Sequence, residues 1–169
     1  KWATVSAPNG LTVITRQTFT TASTINVNDV FSSTYDNYKI VIKNSAGTGA
    51  GVTVRMRVSG ADNTALSYSS GMAESSNGGF TNRYKSAQDG WFKGDISMNA
   101  DGNFIVDLCA PYLSETTTGQ GIFGAIDSGL RGGSFNLIHN STTSFTGFSM
   151  IFSTGSSTGV VTVYGYQKS

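Results

Sequence analysis

Short segments in which apolar and polar residues alternate strictly, broken by Gly, Asn and Ser, recur along the whole chain. Val52, Val54, Met56 and Val58 fall on one side of an extended backbone, with Thr53, Arg55 and Arg57 on the other. Phe104, Val106 and Leu108 stand opposite Asp107 and Cys109, and Phe135, Leu137 and His139 alternate with Asn136 and Ile138. Phe148, Met150 and Phe152 repeat the pattern, and residues 160–166 are β-branched and aromatic throughout. Successive side chains of a strand point to opposite faces, so each such segment predicts a half-buried strand. Further strands are expected at 11–19, 22–27, 38–43, 68–72, 90–98 and 120–127.

No ten-residue stretch keeps apolar residues at three- and four-residue spacing between helix caps; residues 27–31 offer one turn at most. The expectation is therefore an all-β single domain over residues 1–169, an antiparallel β-sandwich of jelly-roll type with roughly ten strands. Residues 44–51 and 155–159 read as hairpin tips, and 99–102 as a tight turn with Gly102 at a positive-φ position. Residues 59–89 read as the longest irregular stretch, and long loops on a sheet scaffold are where binding concentrates.

Composition sharpens this picture. Ser, Thr, Asn and Gly supply 77 of the 169 residues, while charged residues make up 12%. Polarity thus comes from hydroxyls and amides, which suit sheets and turns better than helix interiors. Eleven bases against ten acids leave a net charge of +1, which gives no global field for a nucleic acid. No apolar run reaches the length needed to span a bilayer, so membrane insertion is not expected. One His and one Cys exclude an all-His/Cys zinc site and an intrachain disulfide, and no cofactor is implied.

Catalytic constellations fail one by one. Residues 155–159, Gly-Ser-Ser-Thr-Gly, match the hydrolase elbow formally, but no Asp, Glu or His follows them and β segments flank them. The Gly-rich 47–51 run lacks phosphate-loop spacing. The acids are scattered singly; Asp89 and Asp95 flank Trp91-Phe92, as two carboxylates of a glycosidase would flank a sugar, but any two of ten acids in an all-β chain can meet that way, and most read as turn caps or solvated strand positions. His139 shares a face with Phe135 and Leu137 and reads as a hydrogen-bonded core or interface histidine. Cys109 reads as a small buried residue. Arg55 and Arg57, like Lys39 and Lys43, read as solubilising charges on outer sheet faces, with an intersubunit role as the weaker alternative. No catalytic residue is assigned. The stretch from Arg83-Tyr84-Lys85 to Trp91-Phe92-Lys93 interleaves bases with aromatics and suits stacking of sugar rings. A partly core position for Trp91 and Phe92 is the competing reading, since neighbours on a strand face opposite ways.

Residues 30–42, Val-Phe-Ser-Ser-Thr-Tyr-Asp-Asn-Tyr-Lys-Ile-Val-Ile, resemble a recurrent segment of bacteriophage virion proteins. The likeness is to tail-fibre and appendage modules of phages of cyanobacteria and other aquatic bacteria. Residues 52–60, the Tyr/Ser/Gly-rich stretch after them and the closing Val161-Thr162-Val163-Tyr164-Gly165-Tyr166 extend it. The resemblance implies a non-enzymatic virion protein, usually a homotrimer, in contact with other virion proteins and with a host-surface polysaccharide. It brings no catalytic residue. A capsid decoration or assembly adaptor with protein contacts only is the alternative, and a polysaccharide depolymerase ranks below both. Independently of the resemblance, Phe31, Tyr35 and Tyr38 crowd one corner, where a buried tyrosine hydroxyl needs a partner. The expected glycan-binding set is Tyr68, Tyr84 and Trp91 for stacking, with Asn82, Arg83 and Asp89 as hydrogen-bonding partners.

Overall fold

The computed structural model describes residues 10–48, 51–76, 78–98, 101–126 and 129–168. Those residues form thirteen strands and no helix. In chain order they are β1 (Leu11–Ala22), β2 (Thr24–Val27), β3 (Asn37–Gly47), β4 (Gly51–Val58), β5 (Ala61–Asp62), β6 (Tyr68–Ser76) and β7 (Gly79–Gln88). They continue as β8 (Trp91–Ser97), β9 (Asn103–Cys109), β10 (Thr117–Ile126), β11 (Leu130–His139), β12 (Gly147–Phe152) and β13 (Ser157–Tyr166). Every pairing is antiparallel. An eight-stranded sheet runs β1-β13-β3-β9-β10-β11-β6-β7, and a five-stranded sheet runs β2-β12-β4-β5 with β8 also paired to β4.

The all-β sandwich is as expected, with more strands than the ten anticipated. The additions are β5 and β7, both inside the stretch read as a loop; residues 68–88 are mostly a β6–β7 hairpin at the sheet edge. The two segments read as hairpin tips are instead passages between sheets. β3 belongs to the large sheet and β4 to the small one, and β12 and β13 are divided likewise. Ser, Thr and Gly mark a chain reversal in either case, so composition does not separate the two. Residues 49, 50, 99 and 100, and with them part of the 44–51 segment and of the 99–102 turn, lie outside the described residues.

The core fills the space between the sheets. Tyr38, Ile40 and Ile42 from β3 face Val52, Val54 and Met56 from β4 and Phe148, Met150 and Phe152 from β12, all buried. Phe104 and Phe135 stack at 4.9 Å, and the Phe92 ring meets both edge-on. Gly121 makes room for this group: a Cβ there would lie 2.5 Å from the Phe135 ring and 2.1 Å from the Ile105 carbonyl oxygen. At the corner, the Tyr38 hydroxyl donates to the Ser32 carbonyl at 2.9 Å and accepts from the Ser32 N–H at 2.8 Å, so backbone supplies the partner. Desolvation raises its pKa.

Trp91 and Phe92 are adjacent yet both buried, at 1% exposure each. Strand alternation forbids that, and the backbone abandons it here. Phe92, Lys93 and Gly94 adopt φ of 70°, 43° and 87°, a left-handed turn inside β8. On β4 the partners Val52 and Val54 are two apart, while Ile96 and Trp91 opposite them are five apart, so the extra residues bulge out.

Arg55 and Arg57 do not serve as solvated charges. Arg57 is 8% exposed and donates to the Asn28 side chain at 2.9 Å, the Asn26 side chain at 2.9 Å, Asp62 and the Gly60 carbonyl. Arg55 reaches the Asp89 carboxylate at 2.5 Å. The carboxylates come from the same chain, and the forks fasten β2, β4, β5 and the β7–β8 connection across the outer face of the small sheet.

Candidate functional site

The six residues expected to bind a glycan do not form one surface. Tyr68 is wholly buried: its hydroxyl accepts the Met56 N–H at 3.0 Å and donates to the Asn63 carbonyl at 2.9 Å, tying β6 to the opposite sheet. Desolvation drives its pKa up. The Trp91 indole lies beneath β11 and donates to the Ile138 carbonyl at 2.9 Å. Neither ring reaches a ligand at the surface, because the 68–91 stretch is sheet rather than loop and the parity of each strand turns these rings inward. Asp89 is held by Lys93 and Arg55, which lower its pKa in that order against burial. Arg83 turns inward, to the buried Glu74 at 3.1 Å and the Asp95 carbonyl at 2.9 Å. Asp95 itself pairs with Lys85 at 3.0 Å, so both acids of the sequence-level pair are neutralised in separate ion pairs. Only Asn82 and Tyr84 project outward and exposed.

Tyr84 leads to what the sequence did not reveal. Cross-strand registers align one residue from each of seven strands in a single row over the outer face of the large sheet: Tyr164, Lys39, Asp107, Gln120, Asn136, Gly71 and Tyr84. At about 4.8 Å per strand the row is about 29 Å long. Its middle is a groove of about 820 Å³ lined by Lys39, Ile105, Asp107, Gln120, Ile122, Ser134 and Asn136, with Gly71 and Ala73 at its β6 side. The adjoining row, Ile105, Ile122, Ser134 and Ala73, gives the groove its apolar flank.

The charges in this groove cancel. The Lys39 ammonium sits 2.9 Å from one Asp107 oxygen and 3.1 Å from the other, and the Tyr166 hydroxyl donates to Asp107 at 2.5 Å. The hydrogen bond to Asp107 raises the Lys39 pKa; burial first, then Asp107, raises that of Tyr166. This triad is fixed and neutral overall. The Gln120 and Asn136 amides, directly opposite each other, make no side-chain hydrogen bond among the described residues. Each presents two donors and an acceptor to solvent. The groove thus presents uncommitted amide donors and acceptors beside a neutralised ion pair.

Other candidates resolve differently. His139 lies in the core, its ring 4.1 Å from Tyr68 and 4.8 Å from Phe145, with Nε2 3.1 Å from the Ser67 hydroxyl and no side-chain partner for Nδ1 among the described residues. Desolvation lowers its pKa to about 4. Cys109, expected to be buried, is exposed, because Leu108 takes the inward side and parity sends Cys109 out beside Asn37 and Thr118. The Ser157 hydroxyl of the elbow-like segment is buried against Asn44. No group of three or more His, Cys, Asp or Glu residues among the described residues is arranged to hold a metal.

The signal for the groove was present but scattered. Ile105, Ile122 and Ile138 stand on the nominally polar side of their strands, which a solvated face does not need. Only the registers show that they flank one polar row.

No protein-family model and no curated protein matches the chain. Among solved structures it is similar to a variant fructofuranosidase from Schwanniomyces occidentalis, complexed with fructosylnystose, at 7% identity and a TM-score of 0.28. The alignment covers 96% of this chain and 35% of that one, and a likeness at this level carries no argument about fold or activity.

Proposed function

We propose that this chain is a non-enzymatic attachment module of a bacteriophage virion, of the tail-fibre or appendage kind, which holds a neutral host-surface polysaccharide along the outer face of its large sheet. The virion context is supported by the resemblance of residues 30–42, 52–60 and 161–166 described above. The binding is supported by one observation above all: two unpartnered amides, Gln120 and Asn136, centred in a groove whose only charges neutralise each other. A neutral site without a strong anchor gives weak binding, and a homotrimer on the particle raises it by avidity. Titration of the assembled protein with neutral host polysaccharide is expected to give saturable binding that weakens about thirtyfold in Gln120→Ala/Asn136→Ala, for two lost hydrogen bonds of about 1 kcal/mol each. Unchanged binding in that variant removes the groove from the function.

A second reading, contact with other virion proteins only, is favoured by the apolar side chains exposed on the same face, Phe80 at 89%, Leu130 at 79% and Ile122 at 54%. A map of the intact particle separates the two: attachment requires the groove to be open, and a neighbouring subunit seated in it establishes the second reading.

A further inference from the structure

Between Tyr84 and Asn136 the row contains a gap, because the residue of β6 between them is Gly71. The gap is a slot of about 210 Å³, with Ser69 and Gly71 as its floor, Tyr84 as one wall, and Asn136 and Ile138 as the other. A drug-sized ligand occupies about 300–1,000 Å³, so the slot accepts one ring rather than a chain. It opens into the main groove, with which it shares Gly71 and Asn136. We infer that this slot is the seat of a single neutral hexopyranose, the end or a side branch of the polymer in the groove; the inference rests on the polysaccharide reading above.

Three features carry it. The Tyr84 ring is 74% exposed, and its π face attracts the polarised C–H bonds on the apolar face of a pyranose. The Asn136 amide faces it with donors and an acceptor free for neighbouring hydroxyls. No charged side chain lines the slot, and Lys85, next to Tyr84 in sequence, turns away to the Phe92 and Lys93 carbonyls at 3.1 Å each. A uronic acid there would have its carboxylate desolvated without a cation, which is costly, so neutral hexoses are selected over acidic ones.

The slot is testable without touching the core. A Cβ on Gly71 would come within 2.4 Å of the Asn136 side-chain oxygen and no backbone atom, so Gly71→Ala closes the slot at the expense of a flexible side chain. The full chain is titrated with gluco-, galacto- and manno-configured neutral oligosaccharides and with uronic oligosaccharides of equal length. The expected result is saturable binding of at least one neutral series, the uronic counterpart weaker by at least about tenfold. Tyr84→Ala and Gly71→Ala are each expected to weaken the neutral ligand about five- to tenfold. Because Asn136 also serves the groove, Tyr84→Ala carries the distinction. If Gln120→Ala weakens binding and Tyr84→Ala does not, the slot is wrong and the groove stands. If no neutral oligosaccharide or polysaccharide binds, the groove reading falls and the slot with it. Equal affinity for uronic and neutral series overturns the selectivity.

Discussion

His139 shows how one buried side chain couples this fold to pH. Its folded-state pKa of about 4 lies below the ordinary 6.5, so the unfolded chain binds the extra proton in between. The stabilisation is complete above about pH 6.5 and declines as the pH falls toward 4, by on the order of 3 kcal/mol for a shift of this size. Urea unfolding at pH 7 and pH 4.5 is expected to show that loss, and His139→Phe, which has no proton to gain, to flatten it. An equally steep decline in His139→Phe would place the acid sensitivity elsewhere. Two tyrosines that look alike in the sequence part company at the same scale. Tyr68→Phe removes the hydroxyl that accepts the buried Met56 N–H and bonds the Asn63 carbonyl, and is expected to cost about 1–3 kcal/mol of stability. Tyr84→Ala, on the surface, is expected to change stability by less than about 0.5 kcal/mol. Thermal melts of the two variants make the comparison.

The elements most resistant to sequence reading are β7 and β8, for opposite reasons. β7 inverts the usual pattern: Arg83 and Lys85 face inward, to Glu74 and Asp95, while Phe80 and Tyr84 face out. Period-two polarity then carries the wrong sign, and the stretch reads as loop. The inversion has a structural use, because β7 is the sheet's edge and inward charges there discourage pairing with a further strand. β8 breaks the period outright with its left-handed turn at 92–94. Gly94, with φ of 87°, is the one residue of the three free of a Cβ penalty, and Gly94→Ala is expected to destabilise the protein by roughly 1–2 kcal/mol. An unchanged denaturation midpoint would show that the turn relaxes. By contrast β3, β9 and β13 were legible because each is central in the large sheet and buried on one face, where alternation must be strict.

At the scale of the whole molecule, no element among the described residues covers the outer face of the large sheet, and the proposed function brings three such faces together in a homotrimer. Sedimentation of the purified chain is expected to give three times 17.8 kDa. The trimer is expected to hold an immobilised polysaccharide far longer than a dissociated subunit holds a soluble fragment of it. A 17.8 kDa species at all concentrations, with no change in residence time between the two formats, would contradict that assembly.

Low charge, abundant Ser, Thr, Asn and Gly, and repeated two-residue alternation determined by themselves an all-β sandwich whose strands bury one face. They also identified which side chains of most strands form the core, because burial imposes the period locally. Nothing local fixes which strands become neighbours or in what register. The tertiary structure alone therefore decided that Lys39, Asp107, Gln120, Asn136, Gly71 and Tyr84, spread from residue 39 to residue 136, stand in one row. It also decided that Tyr68 and Trp91, the aromatics best suited by composition to stack a sugar, hold the two sheets together instead.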